Sequence, residues 1–223
     1  MKIIARIKTD FKQKFGIPRQ SGIADELEAM IVFEPEYRVP EALRGIEGYS
    51  HLWLIWQFSE AVREGWSPTV RPPRLGGKRR MGVFATRSPF RPNPIGLSSV
   101  KLLRVERREG LGDVLIVAGA DLLDGTPIYD IKPYLAYTDS HPDASGGFAD
   151  PVRDYGLEVR ICDDLLSLVE EKKRDSLIKL LQHDPRPSYQ DDPEREYGML
   201  FSDLEINFTV SEGTLTVTRI RKI

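Results

Sequence analysis

Apolar and polar residues alternate through much of the first two-thirds of the chain, the period-two mark of half-buried strands. Ile3, Ala5 and Ile7 show it, as do Ile31 and Phe33. The run His51–Phe58 (HLWLIWQF) is apolar on both faces and predicts a strand buried in a barrel or sandwich. Met81–Thr86 predicts a short strand. Val100–Arg107 and Val114–Asp121 predict a hairpin around REGLGD, and the turn LLDGTP leads into IYDIKPYL. Short strands joined by long, proline-containing loops predict a mainly β fold: an antiparallel β-barrel whose function lies in its loops.

Beyond about Asp150 the period changes. Leu157–Cys162 predicts a strand. From an N-cap at Asp163 or Asp164, the run LLSLVEEKKRDSLIKLLQ sets Leu165, Leu168, Val169, Leu177, Leu180 and Leu181 at helical spacing. Strands near Tyr197–Val210 and Thr214–Ile220 complete a small α+β C-terminal unit. The expected organisation is a barrel domain over residues 1–153 and a C-terminal domain over 154–223. The latter is small for independence and expected to pack on the barrel.

Composition agrees with a packed core: 40% of the 223 residues are hydrophobic and 30% charged. There is no apolar run long enough for a membrane span, and charges interrupt what would be a signal core in MKIIARIKTDFKQK. The single cysteine, Cys162, makes no internal disulfide, which fits a reducing cytoplasm and predicts a buried, structural thiol. Charge changes the picture more. Residues 63–108 hold twelve Lys or Arg against two Glu, a surplus of ten in a chain whose net charge is −2. One strongly basic stretch in a near-neutral protein points to contact with a polyanion.

His51, His141 and His183 stand too far apart for metal-ligand spacing, and one cysteine makes a zinc site improbable, so no metal is expected. A polar surface loop explains His141 with Asp139 and Asp143 better than a cation site does. P-loop, G-x-S-x-G and G-x-G-x-x-G patterns are missing, which disfavours a Rossmann-type cofactor site. Candidate chemistry therefore concentrates in RPPRLGGKRRMGVFATRSPFRPNPIGLSSV. Prolines there restrict the backbone and present Arg87, Arg91 and Asn93 from a stiff frame. Arg can fork onto phosphate or carboxylate and can stack on a base.

PRQ at Pro18–Gln20, YSHLWLIWQF, RPPRLGG, GVFATRSPFRPNPIGLSSV, DLLDGTPIYDIKPYL and DPRPSYQ occur in this order. Together they resemble the tRNA (adenine-N6)-methyltransferase family TrmO, over essentially the whole chain. The resemblance implies a cytoplasmic, homodimeric β-barrel enzyme that uses S-adenosylmethionine. The implied substrate is tRNA already carrying N6-threonylcarbamoyladenosine at position 37, in the anticodon arm. It places the cofactor on Pro18, Arg19, Gln20, His51, Arg87, Leu97, Leu122, Leu123, Asp124 and Gly125. Arg19 or Arg87 suits the cofactor carboxylate, Asp124 its ribose or ammonium, and the Leu122–Leu123 backbone an adenine edge. Asp130, with Tyr129 and Lys132, stands nearest to help a proton leave the acceptor nitrogen. Arg71, Arg74, Lys78, Arg79, Arg80, Arg91, Arg186 and Tyr189 would meet tRNA, with Phe90 or Tyr134 as base platforms. Two other readings stay open: a non-catalytic RNA-binding barrel, and a methyltransferase with a different acceptor.

Overall fold

Six strands close on themselves. In chain order the first eight strands are β1 (Ala5–Lys8), β2 (Glu28–Phe33), β3 (His51–Gln57), β4 (Thr69–Val70), β5 (Met81–Gly82), β6 (Ile95–Arg108), β7 (Gly112–Ala118) and β8 (Pro127–Pro133). Hydrogen bonding links them as β1-β2-β7-β6-β3-β8, and β8 returns to β1 through Ala5–Ile128 and Arg6–Pro127. Every pairing in this ring is antiparallel. The architecture is that of a computed structural model describing residues 1–72, 79–152, 155–186 and 192–223. Arg74, Lys78, Tyr189 and the expected domain boundary lie outside the described residues.

The alternation in β3 explains the ring's interior. Leu52, Leu54 and Trp56 point inward and are buried, while His51, Trp53, Ile55 and Gln57 are half-buried on the outer face. The inward set packs with Ile7, Ile31, Val100, Leu115, Val117 and Ile128. The chain is mainly β, as the alternation predicts. Among the strand limits that differ, two have a visible cause. β6 begins at Ile95 instead of Val100, because Ile95 and Gly96 pair with Gln57 and Trp56. The strand at Met81 ends after two residues: Val83 turns inward and buried, and the Thr86 N–H and hydroxyl both bond back to the Val83 carbonyl.

The C-terminal unit comprises β9 (Glu158–Arg160), α2 (Asp163–Ser167), α3 (Glu171–Gln182), β10 (Tyr197–Phe201), β11 (Leu204–Ser211) and β12 (Thr214–Lys222), after a one-turn α1 (Ala136–Asp139). Its sheet runs β10-β11-β12-β9, with the β12–β9 pairing parallel. The single helix expected from Asp163 to Gln182 is two. Val169 turns into the core, Glu170 is extended, and Leu168, expected in the stripe, is 55% exposed. Cys162 is exposed at the start of α2, which corrects the expectation of a buried thiol. Leu177, Leu180 and Leu181 of α3 pack on Met199, Phe201, Ile206 and Phe208, and this core also takes in Phe11, Ala24 and Leu27 from the first third of the chain.

Asp184 closes α3 in the left-handed region, φ 50°, with its N–H donating to the Leu181 carbonyl. Its carboxylate accepts two bonds from the Arg186 guanidinium, at 2.9 and 3.0 Å, and one from the Tyr155 hydroxyl at 3.0 Å. Burial pushes the Asp184 carboxyl up, but the Arg186 bonds outweigh it and hold the group below its ordinary value. A carboxyl so depressed stabilises the fold above its unfolded pKa, and that stabilisation is lost as pH falls through the folded one. Asp184→Ala leaves a buried guanidinium without its carboxylate and is expected to lower unfolding free energy by about 3–5 kcal/mol at pH 7. Urea unfolding measures it, and the gap to wild type should narrow on acidification below about pH 4.

Candidate functional site

The segment Thr9–Leu27 carries Pro18–Gln20, and the structure shows how it is held. Asp124 Oδ1 accepts from the Thr9 N–H at 2.9 Å, and Oδ2 sits 2.8 Å from Lys12 Nζ. The Thr9 hydroxyl donates to the Leu122 carbonyl at 3.0 Å, and the Asp124 N–H donates to the Phe11 carbonyl at 2.8 Å. Gly125 takes φ +77° to complete the turn, a conformation that favours glycine. Leu122–Gly125 therefore clasps the foot of the segment. Asp124, expected to meet a ribose or ammonium, is engaged by Thr9 and Lys12. The Leu122 carbonyl, expected at an adenine edge, is bonded to Thr9. Leu122's side chain is fully buried in the ring core.

At the tip, Pro18 is buried while Arg19 and Gln20 are exposed. Arg19 Nη2 donates to the main-chain carbonyls of Asp184 and Arg186, at 3.0 and 3.1 Å. This guanidinium, expected at the cofactor carboxylate, thus already engages two main-chain carbonyls. Arg186, expected to meet tRNA, is buried and forked onto Asp184.

Inside the ring a relay was not foreseen. Trp56 Nε1 donates to Ser98 Oγ at 2.9 Å, and Ser98 Oγ donates to Asp121 Oδ1 at 2.6 Å. The Ser21 backbone also bonds to Asp121, and the positive charge of Arg87 acts on it through space. Asp121 thus joins β6 to the segment just after Pro18–Gln20. Burial pushes its carboxyl above the ordinary carboxylate range, opposed by Ser98, Arg87 and Ser21. One signal existed in the sequence: Ser98 is a polar residue at an inward position of β6, 1% exposed and paired with Leu54. Gly96 lies directly against the Trp56 indole, where any Cβ would collide with the ring.

The other expected residues lie on the outer face. Leu97, 59% exposed, aligns with Ile55 and, one strand further, with Asp130, so the three form a row across β6, β3 and β8. Neighbouring strands are about 4.8 Å apart, which separates Leu97 from Asp130 by roughly 10 Å of backbone. Asp130 accepts from the Ile131 N–H at 3.0 Å and stands 3.4 Å from Lys132 Nζ. Tyr129 precedes it, half-buried. His51 and Trp53 contact Tyr134, with ring centroids 6.2 and 5.3 Å apart, so that platform is one member of an aromatic cluster. Trp53 Nε1 also donates to Asp139, which ties that carboxylate to the ring and not to a cation.

The basic stretch divides. Arg104, Arg107 and Arg108 pair with Glu28, Asp113 and Glu106 on the ring. Arg71, Arg79, Arg80 and Arg87 are exposed, and Arg91 is half-buried with its guanidinium on the Thr86 carbonyl. Arg63 lies 4.0 Å over the Phe90 ring, which covers one face of that platform. Trp66 and Phe84, unforeseen, form a second exposed aromatic pair, 6.1 Å between centroids.

A closed β ring with an arginine-rich, aromatic loop face suits an enzyme that works on a nucleic acid. Comparison with known proteins defines the class. The model described as the tRNA-methyltransferase O N-terminal domain matches residues 6–140, and that of the TrmO C-terminal domain matches residues 154–223. The chain is a methyltransferase of the tRNA-modifying class, and it belongs to the TrmO family. It is 39% identical to the tRNA (adenine(37)-N6)-methyltransferase of Escherichia coli strain K12, over 96% of this chain and 94% of that one. It is 47% identical to the protein of that name from Eikenella corrodens, over 78% of this chain and 98% of that one. The crystal structure of TrmO from Pseudomonas aeruginosa superposes with a TM-score of 0.75 at 33% identity, covering 98% of this chain and 97% of that one.

Two predictions follow from the relay. Asp121→Asn removes a carboxyl whose folded pKa is raised, and such a group destabilises the fold increasingly as pH rises from its unfolded towards its folded pKa. The variant should be more stable than wild type at pH 7, with the advantage fading towards pH 4, while methyl transfer falls. Equal thermal midpoints at both pH values would refute the assignment. Gly96→Ala must displace Trp56, which is pinned by Ser98 and by Phe58 at 4.2 Å between centroids. Chemical unfolding should show a loss of about 1–3 kcal/mol, the range for overpacked cores.

Proposed function

We propose that the protein transfers a methyl group from S-adenosylmethionine to N6 of the threonylcarbamoylated adenosine at position 37 of tRNA. What supports this reading is membership of the TrmO family together with the Asp121 carboxylate, which accepts from Ser98 Oγ at 2.6 Å and bonds to the Ser21 backbone next to Pro18–Gln20. The residues present fit the cofactor: the exposed Arg87 guanidinium for the amino-acid carboxylate, the half-buried Asp121 to balance the cationic sulfonium or ammonium, and the exposed Gln20 for further polar contact. When bound, S-adenosylmethionine supplies an electrophilic methyl group.

The chain's own residues have two tasks. The first is positioning, because methyl transfer needs an in-line approach of the acceptor nitrogen. The stiff segment from Arg87 to Ile95, anchored where Phe58 N–H meets the Pro94 carbonyl at 2.8 Å, suits that task. The second is to take up the N6 proton, since that nitrogen's lone pair is drawn into the purine and the carbamoyl group. Asp130, flanked by Tyr129 and Lys132, is the candidate base, from the outer face that also carries Leu97. A homodimer, as the family resemblance implies, would set the outer face of β3 and β8 against a second copy. The ring acts in this reading as a β-barrel scaffold, and the enzyme works in the cytoplasm. Arg71, Arg79, Arg80 and Arg91 supply tRNA phosphate contacts.

Labelled S-adenosylmethionine with tRNA, bearing or lacking the threonylcarbamoyl group, tests this directly. Label should appear in N6-methylated nucleoside from the modified tRNA alone. Transfer to neither tRNA rejects the reading, and equal transfer to both rejects the substrate preference. Asp130→Asn should slow single-turnover transfer by about 10²–10⁴-fold if the carboxylate is the base. Replacing Arg79 and Arg80 with Ala should flatten the salt dependence of tRNA affinity by about two phosphate contacts.

A further inference from the structure

Among the described residues of the ring half, it is Thr9–Leu27 whose side chains enter the C-terminal core. Phe11, Ala24 and Leu27 are buried there, and Phe15 stacks on Phe208 with centroids 6.4 Å apart and planes 9° from parallel. Gly16, at φ +91°, lies so close to Met199 that a Cβ would come within 2.8 Å of its Cε. Polar contacts repeat the pattern. Lys173 of α3 reaches Asp10 at 2.8 Å and the Ser202 hydroxyl at 2.9 Å, and the Ser202 N–H donates to the Asp10 carbonyl. Lys179 meets Asp25 at 2.7 Å. Beyond Pro18, Arg19 is bonded to carbonyls of the Asp184–Arg186 turn.

We infer that the C-terminal unit acts as a brace for Pro18–Gln20, contributing to cofactor affinity by fixing this segment and not by reading tRNA. The inference rests on the reading of Pro18–Gln20 as part of the cofactor pocket. Its physical basis is entropy. Fixing each backbone residue of a segment without helix or strand costs about 1–2 kcal/mol, which contacts from outside must offset. A loop that holds its binding conformation only a fraction of the time binds its ligand more weakly by that fraction.

Two single variants of the full chain separate this role from tRNA recognition. Phe15→Leu keeps apolar bulk but loses the stack on Phe208, and Lys173→Gln breaks the pair with Asp10. Calorimetry with S-adenosylmethionine alone, tRNA affinity by filter binding, and amide exchange over residues 11–20 are the readouts. Both variants should bind S-adenosylmethionine about three- to tenfold more weakly, exchange faster over 11–20, and keep wild-type tRNA affinity. Unchanged S-adenosylmethionine affinity in both variants overturns the inference. So does weakened tRNA binding with S-adenosylmethionine affinity intact, which would return the unit to RNA recognition. Wild-type protein that binds no S-adenosylmethionine fails at the earlier step, the reading of the pocket itself.

Discussion

Residues Thr9 to Leu27 form neither helix nor strand, so their main-chain polar groups and apolar side chains have to be satisfied from outside the segment. The ring meets the foot through Asp124, Leu122 and the Gly22–Gly119 hydrogen bond. The C-terminal sheet and α3 meet the middle and tip. Neither half alone offers partners for both. The mutual placement of the halves, and of the residues that gather around Pro18–Gln20, depends on this shared segment.

The wall of the ring organises the rest. On β6, Ser98 faces inward to Asp121 and its neighbour Leu97 faces outward beside Ile55 and Asp130. A strand's side chains alternate faces, so two adjacent residues serve opposite sides of a single layer. The indole of Trp56 fills the interior against Gly96 and carries a hydrogen bond to the relay, which ties core packing to the position of a buried acid. Burial raises the pKa of this carboxyl, so its ionisation opposes folding, and the bonds from Ser98 and Ser21 offset part of that cost.

Legibility in the sequence followed the range of the interaction. Strand signals are local: alternation marked β1 and β2, an apolar run marked β3, and the REGLGD turn marked the β6–β7 hairpin. The early start of β6 escaped because Pro92, Pro94 and Gly96 read as loop, although Gly96 is small for the sake of Trp56. The helix break at Leu168–Glu170 escaped because the leucine stripe continues through it. Residue type alone marks Arg19 and Asp124 as ligand-binding candidates. Their actual partners lie 165 and 115 residues away, and such distances carry no local trace. Asp121 looks ordinary for the same reason, and Ser98 shows only as a polar residue at an inward strand position. The family resemblance named stretches, and the geometry shows which protein groups each of their side chains already engages.

The closure of the ring has a temporal side. Ala5 pairs with Ile128, and Phe15 stacks on Phe208, so the N-terminal strand and the segment after it find their last partners far along the chain. Such non-local pairings form late, because long loops must close before they are rewarded. In a chain emerging from the ribosome N-terminus first, β1 keeps an open edge until β8 appears, and Phe11 stays uncovered until the final sheet assembles. Assembly of the end of the chain thereby sets when its beginning becomes ordered.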